Sequence, residues 1–389
     1  MNDDRHGRKP AANLLQEGER VMRLCNACRY CEGYCAVFPA MERRLSFPEQ
    51  DLHYLANLCH NCSECYYACP YAPPHEFALN LPRTFSEIRT LTYGKYAWPG
   101  YFADLIRKGA LLACLTLIAA PALFLIGMLR FIPSSKLFAA HTVGEGSFYV
   151  IVSHHVMTLT FGIISLGVLA ALGIGLRAFW RDTGAMAGAF LSLGPLAQAV
   201  WDTMRLKYLE GGPQGAEEGC AYPNDLSSQS RRWFHHLTFY GFFFCFAATT
   251  VAAIYHYVFG WVAPYRFQSA PVVLGIAGGL GLLIGPIGLL WLKCSRNPEL
   301  TDAKQTRMDF GLLALLFFTS LTGFLLLALR ETPAMGVLLA VHLGVVMAFF
   351  LTVPYGKFVH AIYRFAALVR NAIEQGEDRS RRPEVRSRK

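Results

Sequence analysis

The chain has 389 residues, 53% of them hydrophobic and only 16% charged, where an ordinary soluble chain carries roughly a quarter charged. That balance points to a membrane protein, and the net charge of +9, gathered beside apolar segments and in the tail from Arg364 to Lys389, suits anionic lipid headgroups. No basic and aromatic interleaving marks a nucleic-acid groove, so nucleic acid is excluded as a partner.

Residues 1–33 are polar and lack the apolar core of a signal peptide. The N-terminal part is therefore expected in the cytoplasm, where thiols stay reduced and metal clusters can be assembled. A short helix leads into Cys25, Cys28, Cys31 and Cys35, a C-x2-C-x2-C-x3-C run that recurs as Cys59, Cys62, Cys65 and Cys69, closed by Pro70. Three thiolates at this spacing wrap one 4Fe–4S cluster, while the fourth ligates the other cluster. The spacing thus assigns Cys25, Cys28, Cys31 and Cys69 to one cluster and Cys35, Cys59, Cys62 and Cys65 to the second. Zinc favours paired C-x2-C hooks and explains a repeated triple hook poorly, and a disulfide framework does not suit a reducing compartment. One departure is Ala36 after Cys35, with Pro39 following later.

Between the runs, Ser46-Phe47-Pro48-Glu49 has capping-box spacing, and Leu52, Leu55 and Leu58 give a helical stripe. A helical ferredoxin-like domain is expected over residues 1–104, its end a proline-rich connector with Trp98, Tyr101 and Phe102 placed as interfacial aromatics. A spanning helix needs about 20 apolar residues. Six segments qualify, at about 109–131, 150–177, 236–259, 270–292, 310–330 and 335–359, and Pro121 and Pro354 are expected to kink the first and last. Lysine and arginine gather after the second and fourth spans, which puts both termini in the cytoplasm. The fold class expected is mainly α: the two-cluster head, a six-helix transmembrane bundle over 105–363, and a basic tail at 364–389.

Residues 184–210, within a cytoplasmic insert at 181–232, are read as an amphipathic helix that docks the head, the alternative being a seventh span. Cys220 in the following loop has no partner motif and is read as structural. Gly275, Gly278, Gly279, Gly281 and Gly285 lie inside a span without a preceding strand, so they serve helix packing rather than a dinucleotide. No flavin fingerprint appears.

The spans carry almost no charged residues but do carry histidine, which favours haem b over a carboxylate proton path. On the third span His235 and His236 lie about 30 Å from His256, and on the sixth His342 and His360 lie about 27 Å apart on one face. The simplest pairing is His235 with His360 for an inner haem and His256 with His342 for an outer one. His154 or His155 competes for the outer site, and His236 is a further candidate. One haem or two are both open. Arg231 and Arg232 are candidates for the inner propionates, or simply a positive-inside flank. His53, His60 and His75 are read as surface residues or neighbours of the clusters.

Taken together, the double cysteine run, R-R-W-F-H-H-L-T-F-Y-G-F (231–242), A-I-Y-H-Y (253–257), A-P-Y (263–265) and H-L-G-V-V-M-A-F-F-L-T-V-P-Y-G-K-F-V-H (342–360) resemble the tricarballylate, or citrate, utilization protein B family. The resemblance implies an electron-transfer protein of the bacterial inner membrane. Its implied role is to reoxidise the flavin of a partner FAD-dependent dehydrogenase, tricarballylate dehydrogenase in the type case, through two 4Fe–4S clusters and haem b to membrane quinone. The C-terminal half of a flavohaem protein of cobalamin biosynthesis looks similar, which leaves a second kind of partner open. The chain offers no acid, base or nucleophile for substrate chemistry of its own. A transporter with a redox-sensing head is the rival from another class, though paired broken helices are not found.

Overall fold

The computed structural model describes residues 11–102, 110–141, 147–184, 192–211 and 219–381. The expected first residue of span one, part of the amphipathic insert and the end of the tail lie outside them. The head is built from α1 (Ala11–Cys28), α2 (Val37–Glu42), α3 (Glu49–Leu58), α4 (Glu64–Tyr67) and α5 (Leu81–Lys95). On α1, Leu14, Gly18, Val21 and Met22 form one buried stripe at helical spacing. At Gly18 the helices are close: a Cβ would stand 2.7 Å from the Ile88 Cδ1 of α5. The expected capping box does not form: Pro48 precedes α3 without a side-chain cap. α5 is capped instead, by Asn80 Oδ1 accepting from Arg83 N at 3.1 Å, with proline in the first turn.

The membrane part has α6 (Ala110–Phe131), the short α7 (Ser134–Leu137) and α8 (Ser147–Ile151), then α9 (His154–Asp182). After α10 (Leu193–Arg205) a two-stranded antiparallel ribbon, β1 (Cys220–Ala221) and β2 (Ser227–Ser228), pairs Cys220 with Ser228. The bundle continues with α11 (Ser230–Phe259), α12 (Ala270–Cys294), α13 (Ala303–Ala328) and α14 (Met335–Thr352), and the chain ends in α15 (Val359–Arg381). Among the described residues six helices are long and apolar enough to cross a membrane: α6, α9 and α11 to α14. Large apolar side chains such as Leu123, Leu166, Leu169 and Phe246 stand exposed along them, as suits a lipid-facing surface. At 13 residues α10 is too short to span, and its Ala199 is buried in the head core.

Glycines let α11 and α12 meet backbone to backbone. A Cβ at Gly278 would lie 2.7 Å from Gly241 O and from Cys245 N, and one at Gly281 would lie 2.6 Å from Leu237 O. This is the small-residue packing expected of the glycine stripe.

The C-terminal part departs from its sequence reading. The last span is not one helix to residue 359: α14 ends at Thr352, residues 353–358 turn, and α15 starts a new helix at Val359. Pro354 and Gly356 lie in that turn, so proline ends the helix instead of kinking it. The start of the basic tail, too, is held by protein. Tyr363, Ala366, Ala367, Leu368 and Val369 are buried in the head core with Tyr54, Leu55 and Phe85. Glu374 accepts from Arg44 at 2.6 Å and Arg370 at 2.9 Å, and Asp51 from the same arginines at 2.8 and 3.2 Å. Both guanidinium groups lie over the Tyr54 ring, at 4.7 and 4.1 Å. The charges that suggest a free tail are those that fasten it.

Candidate redox centre

The cysteines collect into two neighbouring pockets. Cys25 and Cys28 sit on the last turn of α1, and Arg29 and Gly33, both at positive φ, reverse the chain towards Cys31 and Cys35. With Cys69 and the edge of Cys65, Cys25, Cys28 and Cys31 line one pocket. Cys59 ends α3, and Asn61 and Ser63 at φ of 56° and 70° curl the next residues round Cys62 and into α4, which carries Cys65. Cys35, Cys59, Cys62 and Cys65 line the second pocket. Burial, then mutual repulsion of the thiolates, pushes Cys25 and Cys31 up to about 12. So many thiolates cannot coexist there without a cation, and iron provides one. Asn61 N donates to Cys59 Sγ at 3.4 Å, a contact that favours a cluster sulfur's negative charge.

The histidines divide by depth. At the head end of the bundle, His235 of α11 and His360 of α15 face each other with ring centres 6.4 Å apart. Two imidazoles on opposite sides of one metal ion, each bonded at about 2 Å, hold their centres about 6 Å apart. His360 Nδ1 bonds Lys357 O at 2.6 Å, which leaves Nε2 free as a ligand. Burial keeps His360 neutral, its pKa held well below the usual value, and His235 Nδ1 is buried without a partner. The pair fits an iron-bound haem. His236, next along α11, turns to Trp233 and Tyr240 instead.

At the other end the expected His256–His342 pair is not assembled. His256 stacks on His154 at 3.7 Å with Tyr149 and Tyr257 around them, too close for an iron to sit between the rings. His342 bonds Thr322 Oγ1 at 3.0 Å and packs over Gly323. His155 is exposed beside His154. The face shared by His342 and His360 presupposed a continuous helix, and the break at 353–358 removes that premise. In the head, His53 is buried between Glu49 and Thr92, at 3.2 and 2.8 Å. His60 is buried in the loop joining Cys59 to Cys62, and His75 packs edge-to-face with Tyr71 and Phe77.

Arg231 and Arg232 turn to protein, not to a propionate site. Arg231 donates to His60 O at 2.7 Å and Asn61 O at 2.9 Å. Arg232 donates to Arg205 O at 2.9 Å and Glu210 at 2.7 Å.

A family model described as citrate utilization protein B matches residues 106–384, and one described as the citrate utilization protein B Fer4-like domain matches residues 18–95. The chain belongs to the citrate utilization protein B family. Citrate utilization protein B of Escherichia coli is 49% identical to it over 363 residues, 92% of each chain. No solved structure matches. In this member of the family the Fer4-like match encloses both cysteine runs, and the larger match takes in all six apolar helices and α15.

Two features of this citrate utilization protein B relative were missed in sequence. Cys220 is not a bland core residue: its Sγ, Cys62 Sγ and a Glu64 oxygen lie within 4.8 Å of one another. The neighbouring thiol lowers the pKa of Cys62 and raises that of Cys220, as when S–H donates to a thiolate. A cysteine outside both runs, in a polar loop, was the available signal. The second is a buried ionic triad in which Asp309 pairs with Lys357 at 3.0 Å and with Lys293. Lys293 and Asp309 each fall one residue beyond an expected span end, and Lys357 lies two residues inside the end of the sixth.

Proposed function

We propose that this protein is a membrane-anchored electron conduit that takes electrons from the reduced flavin of a partner FAD-dependent dehydrogenase, of the tricarballylate dehydrogenase kind, and delivers them to membrane quinone. The observation that carries the reading is the placement of the His235–His360 pair at the junction of head and bundle, beside the loop holding Cys59 and Cys62. In this reading the Cys25, Cys28, Cys31 and Cys69 pocket, with Cys28 exposed, faces the partner. The Cys35, Cys59, Cys62 and Cys65 pocket lies inward, and both termini are cytoplasmic at the bacterial inner membrane.

The two 4Fe–4S clusters and haem b supply one-electron iron couples when bound. The chain's own part is to hold and tune them. Cys59 is buried, Asn61 N offers a hydrogen bond to its sulfur, the Cys220 thiol stands beside Cys62, and Lys357 O orients the His360 ring. Conversion of the organic substrate stays with the partner. The test is anaerobic purification followed by addition of substrate-reduced tricarballylate dehydrogenase. The Soret band is expected to shift to its reduced form, with reoxidation by decylubiquinone. Purified protein without acid-labile sulfide and without a Soret band would refute the reading.

A further inference from the structure

The cluster loop is held from the membrane side by two arginines, each one helical turn from a histidine of the inner pair. Arg231 precedes His235 on α11 by four residues, and Arg364 follows His360 on α15 by four, so each arginine shares a helix face with its histidine. Arg231 spans two consecutive carbonyls, His60 O and Asn61 O, while Arg364 donates to Cys59 O at 2.8 Å. Arg89 of the head completes the set on Ala56 O and Cys59 O, at 2.9 and 3.2 Å. The Arg231 guanidinium also lies 4.6 Å over the Tyr222 ring, which fixes its plane. A positive-inside flank would point such groups at lipid phosphate. These turn inward and satisfy backbone acceptors.

We propose that Arg231 and Arg364 are positioning residues for electron hand-over, locking the loop of ligands Cys59 and Cys62 to the two helices that present His235 and His360, so that the Cys35, Cys59, Cys62, Cys65 cluster is the membrane-proximal one. The inference rests on the conduit reading. With the groups bound, the hand-over would take one electron from the iron held by Cys35, Cys59, Cys62 and Cys65 to ferric iron held by His235 and His360. No bond is made or broken and no proton moves. The arginines set the separation across which the electron passes, and their charge favours the cluster's reduced, more negative state. Arg364 and Arg231 hold successive carbonyls of one short loop, Cys59 O and then His60 O and Asn61 O, from two different helices.

The test uses the full-length protein in detergent with reduced methyl viologen as electron donor, following cluster bleaching and the Soret band by stopped flow. EPR redox titration is run on the same samples. In Arg231→Gln and Arg364→Gln, clusters are expected to reduce at the parental rate, while haem reduction slows about tenfold or more, since small misplacements act steeply. The midpoint of one cluster only is expected to fall. Arg231→Lys keeps the charge but cannot hold two carbonyls in a fork, so it should restore the midpoint and not the rate. Arg83→Gln, on the exposed face of α5, should change neither. An unchanged haem reduction rate at full cluster content, or an equal shift of both cluster midpoints, overturns the proposal. Parental protein with clusters but no haem would instead overturn the conduit reading, leaving the single-cluster midpoint shift to decide whether the arginines address the Cys59–Cys62 loop.

Discussion

Replacing Cys220 by alanine isolates one contact to the inner cluster. Its thiol stands beside Cys62 Sγ and Glu64, with Tyr208 O at 3.9 Å as a second acceptor, and is itself buried, at 3% exposure. A hydrogen bond to a charged acceptor is worth about 1.5–3 kcal/mol, but S–H is a weak donor, so about 1 kcal/mol is a fair value for Cys220 against a thiolate ligand. The bond strengthens as the cluster gains negative charge, so it favours the reduced form. At about 59 mV per tenfold change for one electron, losing it should lower the midpoint of that cluster by about 20–40 mV. Serine keeps a donor on a shorter reach and should recover part of the shift. The assay is an EPR redox titration of the anaerobic full-length protein, with the Cys25, Cys28, Cys31, Cys69 cluster as internal reference. No shift in Cys220→Ala, or an equal shift in both clusters, would refute the hydrogen bond.

Glu374→Gln removes the carboxylate shared by Arg44 and Arg370 while Asp51 still serves both. Losing this half-buried carboxylate should destabilise the head by about 2 kcal/mol, read as a lower denaturant midpoint for loss of cluster absorbance, with Glu377→Gln on the exposed face as control. His53 is held below its usual pKa, first by burial. The unfolded chain takes up a proton near pH 6.5 while the folded one resists it. Head stability should therefore fall as pH drops below about 6.5, and His53→Gln should flatten that slope in thermal melts between pH 5 and about 7. Gly278→Val would drive a side chain into the α11 backbone. A loss of about 1–3 kcal/mol or more is expected, visible as a lower melting temperature in detergent while cluster EPR is unchanged.

The parts of the fold legible in sequence are those set by local spacing. Three cysteines at intervals of three are enough to imply a cluster, and a run of twenty apolar residues is enough to imply a span, since both constraints act within one turn or one helix. What the spacing could not carry is contact across the chain. Cys220 meets Cys62 only because the β1–β2 ribbon folds back on the head, and no motif joins two residues so far apart. The Lys293–Asp309–Lys357 triad was hidden because charge neutralised by a partner on another helix reads, in one dimension, as the end of a span. Val359, Tyr363, Ala366 and Ala367 are buried in the head core, but the arginines and acids around them read as a basic tail until their partners Arg44 and Asp51 are seen.

The break after Thr352 shows why the inner histidines meet and the outer ones do not. Had α14 run on as one helix, residue 360 would lie about 27 Å along the same axis from His342, still stacked in the bundle, and α15 could not enter the head. Proline, glycine and lysine within four residues, Pro354 to Lys357, end the helix instead, and Lys357 is anchored on Asp309 at 3.0 Å. The chain then restarts at Val359 in a new direction. One turn of α15 brings His360 to His235, and the next brings Arg364 to Cys59 O. The residues that stop the last span are thus also those that aim its continuation at the cluster loop. On this argument Asp309→Asn, which frees Lys357, should disturb the His235–His360 pair before it disturbs either cysteine pocket. The change should show as an altered haem spectrum over unaltered cluster EPR, and the reverse order of damage would refute it.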